Sequence, residues 1–422
     1  MGLPKDILED WVLENIKKFD DKLVGHPANG TRRISGQLFS PPDTVGTLSS
    51  ASSTATELAP AHPDLQIPLN LYSVQAFEFI GFTTKASEHL LKRWTSEDDQ
   101  TLEHIITTHV QEFCDDMTAD WRASMKRLGI SEDIQARIMD PNFTHIRCAA
   151  SLLFWILELV SENLWTLENL SERLNRNLAI IKSGPQQFPS LRGGAPQNRS
   201  CYQLTQPGHT TLFRATSAAK LVKTFQPNSL RLDKMCFGTV VPSDFSLDRT
   251  AYHWSTEYWV SERFAAYTAN IIGAPANICI IRALVPQGLL EGNNVWKLNF
   301  SNDWKKLVWY SRNEEPYPID IQKKWDESKL IIGPVSINVN GTFQEMKTWK
   351  DVSESNTFRV GPEEGTQHVW IGAAAMAQMN ESLEGKWDIF KGQWLLCRNN
   401  VRADCKAKYI SEPERWVKDH LP

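Results

Sequence analysis

The 422-residue chain has no Cys-x-x-Cys pair: its seven cysteines (Cys114, Cys148, Cys201, Cys236, Cys279, Cys397 and Cys405) are odd in number and far apart. That spacing suits neither a disulfide framework nor a zinc site and reads as reduced thiols in a cytoplasmic protein. Excess charge of one sign is also missing. With 45 Lys and Arg against 50 Asp and Glu, the net charge of −5 excludes nucleic-acid binding by bulk attraction and argues against a DNA partner, so an RNA would have to be met on one local face. Long apolar runs are absent too. Cys148 to Val160 is broken by Ser151 and Glu158 and is too short to span a bilayer, so it reads as a buried helix with no membrane role. The first residues, Met1-Gly2-Leu3-Pro4-Lys5-Asp6, lack the apolar segment of a leader and the Ser or Thr that would favour myristoylation. Neither G-x-x-x-x-G-K-[ST] nor G-x-G-x-x-G occurs, which argues against a phosphate-cradling loop. No metal set is expected: His104 and His109 are five apart and fall on different helix faces, and the acidic groups Asp98, Asp99, Glu103 and Asp115, Asp116, Asp120 have no complementary later triad.

What is present is a globular composition, 41% hydrophobic and 23% charged with sixteen tryptophans, in a chain long enough for two domains. Ile7, Trp11, Leu13, Ile16 and Phe19 predict an amphipathic helix within 1–24. Residues 25–68 turn to Ser, Thr, Pro, Gly and Ala and read as a flexible linker. From 69 to 182 the pattern is helical, about five helices, with stops at Gly81, Gly129 and Asp140-Pro141 and starts at Thr95-Ser96-Glu97-Asp98 and Ser131-Glu132-Asp133. A Gly- and Pro-rich stretch, 183–200, reads as a second linker. After it, 201–393 is strand-rich: Thr211–Ala215, Ala276–Ala283, Leu307–Tyr310, Lys329–Ile332 and His368–Ile371 are β-type runs, and Thr256–Ile272 is a helix. The expected class is α+β, closed by a basic, Trp-containing tail at 394–422.

Four blocks of the strand-rich part stand out: Leu212-Phe213-Arg214; Ser243-Asp244-Phe245 leading to Tyr252-His253-Trp254-Ser255-Thr256; Gly333-Pro334-Val335; and Thr366-Gln367. In this order they resemble ADP-ribosyltransferase-like domains of unknown function. The resemblance implies that Arg214 holds NAD, that Ser255 or Thr256 supports the nicotinamide ribose, and that a late carboxylate stabilises the oxocarbenium-like transition state. Gln367 stands where that late strand begins. A neutral amide does not stabilise a developing cation as a carboxylate does. Blander readings stand beside these: Arg214 as an inward residue paired with Asp244, Ser255-Thr256 as a helix cap, and Gly333-Pro334 as a strand end.

The whole chain also resembles, in architecture, fungal arginine-containing cyclodipeptide synthases. These implied enzymes take amino acids from aminoacyl-tRNAs, arginyl-tRNA among them, and need no cofactor because the ester is already activated. The chemistry asks for a base and possibly a nucleophile. Ser255, with His253 two residues before it, is the first candidate, with Arg214 and Glu257 as further catalytic residues. Asp244, Thr256, Glu262 and Gln367 are candidates for binding the substrate, the carboxylates receiving a guanidinium. Arg192, Arg199, Lys305, Lys306, Lys323 and Lys324 are candidates for holding tRNA phosphates, although such charges commonly make a solvated face. An ADP-ribosyltransferase using NAD on protein or nucleic acid, and an inactive binding module of the same fold, are the alternatives.

Overall fold

A computed structural model describes residues 6–39, 63–96, 100–115, 118–183, 206–217, 220–221, 238–239, 242–273, 278–383, 386–391 and 408–410. The chain is a mixed α+β protein. Its first helix, α1 (Asp10–Phe19), buries Val12, Leu13 and Ile16 but leaves Trp11 and Phe19 exposed. The buried stripe therefore runs through Ile7, Leu8, Val12, Leu13 and Ile16, rotated from the one expected. It docks on α9 (Leu170–Ser183), and Ser171 Oγ accepts a hydrogen bond from Glu9 N at 2.8 Å.

The reading of 25–68 as a flexible linker is corrected at both ends. Strands β1 (Val24–Ala28), β2 (Thr31–Ile34) and β3 (Leu65–Pro68) form an antiparallel sheet. Composition missed it because the apolar residues that anchor it, Val24, Ile34, Leu38, Phe39 and Ile67, are few and are buried in a cluster shared with the helical layer. The central Ser-rich part of that segment lies outside the described residues.

Among the described residues eight helices follow where about five were expected: α2 (Val74–Ile80), α3 (Thr84–Ser96), α4 (Leu102–Phe113), α5 (Trp121–Leu128), α6 (Glu132–Ile138), α7 (Thr144–Arg147), α8 (Leu152–Glu168) and α9. The stops at Gly81 and Gly129 hold; Gly129 adopts φ 81°, the left-handed conformation that closes a helix without a Cβ clash. Thr95-Ser96 is not a start. α3 runs through it, and Thr101 Oγ1 caps α4 by accepting from His104 N at 3.2 Å. The apolar run after Cys148 is the buried α8, begun by Ser151.

The second half builds one eight-stranded mixed sheet in the order β13-β12-β6-β4-β5-β11-β8-β7. Its strands are β4 (His209–Ser217), β5 (Ala251–Ser255), β6 (Ile278–Pro286), β7 (Val295–Lys297), β8 (Leu330–Pro334), β11 (Thr366–Ile371), β12 (Trp387–Lys391) and β13 (Lys408–Ile410), while β9 (Arg359–Val360) and β10 (Glu363–Glu364) make a separate ribbon. Helices are more numerous than expected: α10 (Tyr258–Ile272), α11 (Asn302–Arg312), α12 (Ile319–Glu327), α13 (Asn340–Glu345) and α14 (Ala373–Ser382). The run Leu307–Tyr310, expected as a strand, lies inside α11. Its burial follows a helical period, Trp304, Leu307, Val308 and Ser311, and Ser301 Oγ caps it. Short apolar runs do not by themselves distinguish a strand from a buried helix.

Of three apolar clusters among the described residues, the largest joins the helices to the sheet. It runs from α1 through α8 and α10 to Phe213, Ile280 and Val335. At its centre Trp155 stands edge-on to Tyr267, ring centroids 4.6 Å apart, and donates from Nε1 to Arg147 O at 2.9 Å. Tyr267 in turn donates to Ile138 O at 2.9 Å. None of the helices among the described residues is long and apolar enough to cross a membrane. Because Trp155 is fully buried between the helical layer and α10, Trp155→Ala is expected to destabilise the protein by about 3–5 kcal/mol. Trp11→Ala, at a position 46% exposed, should change stability by less than about 0.5 kcal/mol. Urea denaturation of both variants checks the contrast.

Candidate active site

Strand pairing aligns the blocks that the sequence singled out. Ser255 lies opposite Phe213 on one side and opposite Gln367 on the other, and Gln367 lies opposite Gly333. Arg214, the end of β5, the start of β11 and the end of β8 thus come side by side across four adjacent strands. Helix α10 leaves from the end of β5 and brings Val260, Ser261 and Phe264 over this region. Between that sheet surface and the start of α8 lies a cavity of about 110 Å³. It is far smaller than the ~300–1,000 Å³ usual for whole cofactors and drug-sized ligands.

The floor of the cavity is a buried polar cluster centred on Asp244. Pro242-Ser243-Asp244-Phe245 forms a tight turn in which Ser243 and Ser246 exchange backbone hydrogen bonds at 2.9 and 3.1 Å. Phe245 packs over Gly333, where an added Cβ would stand 3.2 Å from Leu298 Cβ and 3.3 Å from the Phe245 ring, a tight fit that would require these neighbours to shift. Asp244 Oδ1 accepts from Arg312 Nε at 3.0 Å, from Arg312 Nη2 and from the Ser336 hydroxyl. Its Oδ2 accepts from Ser336 N at 2.8 Å and from Gln367 Nε2 at 2.6 Å. Burial alone would raise this carboxyl, but Arg312 and the three donors of Ser336 and Gln367 outweigh it, and the group is held below the usual carboxylate range.

From Asp244 a relay leads to a hydroxyl. Gln367 spends its two amide hydrogens on Asp244 and on Pro334 O (3.0 Å), so its Oε1 is the acceptor that faces His253 Nδ1 at 2.9 Å. The imidazole proton therefore sits on Nδ1. The lone pair of Nε2 points to Ser243 Oγ at 3.4 Å, a long hydrogen bond of the kind that tightens when substrate binds. Burial drives the His253 pKa down to about 4, so the ring is neutral and able to accept a proton.

The expected pair Ser255 and His253 is not formed. Both line the cavity, but Ser255 Oγ donates to Glu257 Oε2 at 2.9 Å and accepts from Glu257 N at 3.1 Å. Glu257 also accepts from Thr256 Oγ1 at 2.8 Å and from Thr366 N at 2.8 Å. Ser255, Thr256 and Glu257 thus bond to one another just before α10, and Glu257 fastens that start to β11; the N-cap itself is Glu257, with no side-chain cap hydrogen bond, so Ser255-Thr256 is not the helix cap that the blander reading expected. Glu257 and Glu262 are not among the residues that line the cavity. Arg214 does line it, donating from Nη1 to His253 O at 2.7 Å. Its electrostatic partner is Glu158 of α8 and not Asp244, and burial pulls its pKa to about 10, which leaves it charged at neutral pH. Asp244, expected to receive a substrate guanidinium, already holds that of Arg312.

The residues that sequence reasoning missed are Ser243, Arg312, Ser336, Asn340 and Glu158. Ser243 sat inside a block already singled out. Arg312 gave no signal, since it ends a helix mistaken in part for a strand. Of the basic residues assigned to tRNA, Arg192 and Arg199 lie outside the described residues. Lys306 pairs with Asp320 and Lys324 with Asp303, both at 2.7 Å, while Lys305 lies over the Phe300 ring at 5.2 Å. Lys323 is exposed. No group of three metal-ligating side chains occurs among the described residues.

Two outcomes follow from the buried cluster. Arg312→Met strands Asp244 in the interior and is expected to cost about 3–5 kcal/mol, most of it recovered in Arg312→Met/Asp244→Asn. Chemical denaturation of the single and double variants measures this. Buried His253 and His368, both near pKa 4 against an ordinary 6.5, bind fewer protons folded than unfolded. Stability should therefore fall as pH drops from about 6.5 toward 4, and less steeply in His253→Gln/His368→Gln. Thermal midpoints across that range decide it. The chain matches no family model, no curated protein and no solved structure, so its chemistry is read from the geometry of this cavity alone.

Proposed function

We propose that the protein is a tRNA-dependent aminoacyltransferase of the cyclodipeptide synthase kind, joining two aminoacyl groups into a cyclic dipeptide. The observation that carries this reading is the relay Ser243–His253–Gln367–Asp244 at the floor of a mainly apolar cavity. A hydroxyl facing a neutral imidazole, itself oriented by a third group, is the arrangement that acyl transfer through a nucleophile requires. Ser243 takes the role first given to Ser255.

In this mechanism Ser243 Oγ attacks the ester carbonyl of the first aminoacyl-tRNA while its proton passes to His253 Nε2. The guanidinium of Arg214 stabilises the oxyanion as it develops. The ester C–O bond then breaks, and the leaving ribose hydroxyl of the tRNA recovers the proton from His253. The α-amine of the second aminoacyl-tRNA attacks the seryl ester, forming the peptide bond and returning a proton to Ser243. The amine of the first residue finally attacks the remaining ester, closing the ring and releasing the second tRNA. Every bond formed replaces an ester of higher energy, and no ATP enters. Asp244 and Arg312 hold the relay in place, and Gln367 fixes the imidazole tautomer.

The NAD-transferase reading draws support from one observation: Arg214, Ser255 and Gln367 converge on three adjacent strands. Against it stands the neutral amide at Gln367, already hydrogen-bonded to His253. Glu257, the carboxylate beside β11, is occupied by three donors. An inactive binding module would not need a neutral histidine aimed at a hydroxyl.

Expression in a microbial host with mass spectrometry of the extract tests the reading: new cyclic dipeptides should appear that an empty vector does not give. Ser243→Ala and His253→Ala should each lower product by at least about 10²-fold, whereas Ser255→Ala should reduce it less than Ser243→Ala does. Release of nicotinamide from NAD by the purified protein, with no cyclic dipeptide, would sink the proposal. In pH–rate profiles, His253 should contribute no inflection near 6.5, because its titration is displaced to about 4.

A further inference from the structure

The walls of the cavity say what kind of side chain its occupant carries. Phe154 and Ala150 approach from the helical side, Phe213 from β4, Val260 and Phe264 from α10, and Val335 from beyond β8. Among the described residues Asp244 is the one carboxylate that lines it, and both of its oxygens are filled by Arg312, Ser336 and Gln367. The cations at the wall are likewise answered. Arg312 is bonded to Asp244, Asn340 and Ala149 O, and Arg214 faces Glu158, which also pairs with Lys220. A guanidinium entering this space would meet two others and no available carboxylate, and a substrate carboxylate would meet cations whose charge is already balanced. An apolar side chain loses nothing on entry and gains the area that it removes from water.

From this wall we infer that the aminoacyl group seated at Ser243 carries an apolar side chain, and that arginine, where it is a substrate, enters as the second, attacking aminoacyl group. This rests on the aminoacyl-transfer reading and adds the substrate class and the order of the two substrates. The space of about 110 Å³ suits one side chain of middling size, so the wall also sets an upper limit. Phe264 is the largest of the three α10 residues, with Val260 and Ser261, that line the space.

The test is a reconstituted reaction with the full-length protein and purified aminoacyl-tRNAs supplied singly and in pairs: leucyl, phenylalanyl, tryptophanyl, arginyl and glutamyl. Every cyclic dipeptide formed is expected to contain at least one apolar residue, and arginyl-tRNA alone should yield at least about tenfold less product than any productive pair. Phe264→Ala should shift the preference toward the tryptophanyl substrate. A cyclic dipeptide of two arginines, or one with a glutamyl residue and no apolar one, as the main product overturns this inference while leaving aminoacyl transfer standing. Absence of any cyclic dipeptide from every pair, with folded wild-type protein, overturns aminoacyl transfer itself and this inference with it.

Discussion

The buried ion pair between Arg312 and Asp244 is the interaction on which the site depends. Each partner is at most 3% exposed, so neither is solvated by water, and the two must satisfy each other and the groups around them. Arg312 ends α11 and also reaches Asn340 and Ala149 O, while Asp244 holds the turn that carries Ser243 and the amide of Gln367 on β11. Four elements distant in sequence are thereby fixed to one point. The orientation of His253 is a consequence, because Gln367 has no hydrogen left to donate once Asp244 and Pro334 O are served.

A second constraint is the continuity of the core. α8 and α10 pack together through Trp155, Phe264 and Tyr267, and the same helices carry Phe154, Val260 and Phe264 into the cavity wall. The wall of the site is the edge of the core, which makes it rigid and leaves it apolar. A polar relay under an apolar roof is a low-dielectric site, where hydrogen bonds and charges act more strongly than in water.

Much of the fold was legible. The strands β4, β6, β8 and β11, the helix after Thr256, and the stops at Gly81 and Gly129 follow from alternation, helical period and glycine chemistry. The failures have physical reasons. Leu307–Tyr310 is a run of apolar residues with no period of its own, and only its burial on Trp304 and Ser311 marks it as helix. The strands near Val24 and Leu65 lie in a stretch whose composition suggests disorder, and they are ordered by a helical layer that composition does not register.

Asp244, His253, Arg214 and Gln367 could each be singled out in the sequence, because polar residues in otherwise apolar blocks invite attention, whereas Ser243 lay inside one of those blocks and was passed over. Ser255 and His253, two apart on one strand, looked like partners because a strand places such residues on one face. Which hydroxyl the imidazole meets was decided by tertiary structure, since Ser255 is bonded to Glu257, which Thr366 N also holds, while the turn at Ser243, anchored by the Arg312–Asp244 pair, faces Nε2. By itself the sequence determined the mixed α+β class, the order of the blocks and the residue types available. Pairings over separations such as 68 residues for Arg312 with Asp244, or 114 for His253 with Gln367, were left to the tertiary structure, because hydrogen bonds and burial depend on proximity in space and a linear pattern records only proximity in the chain.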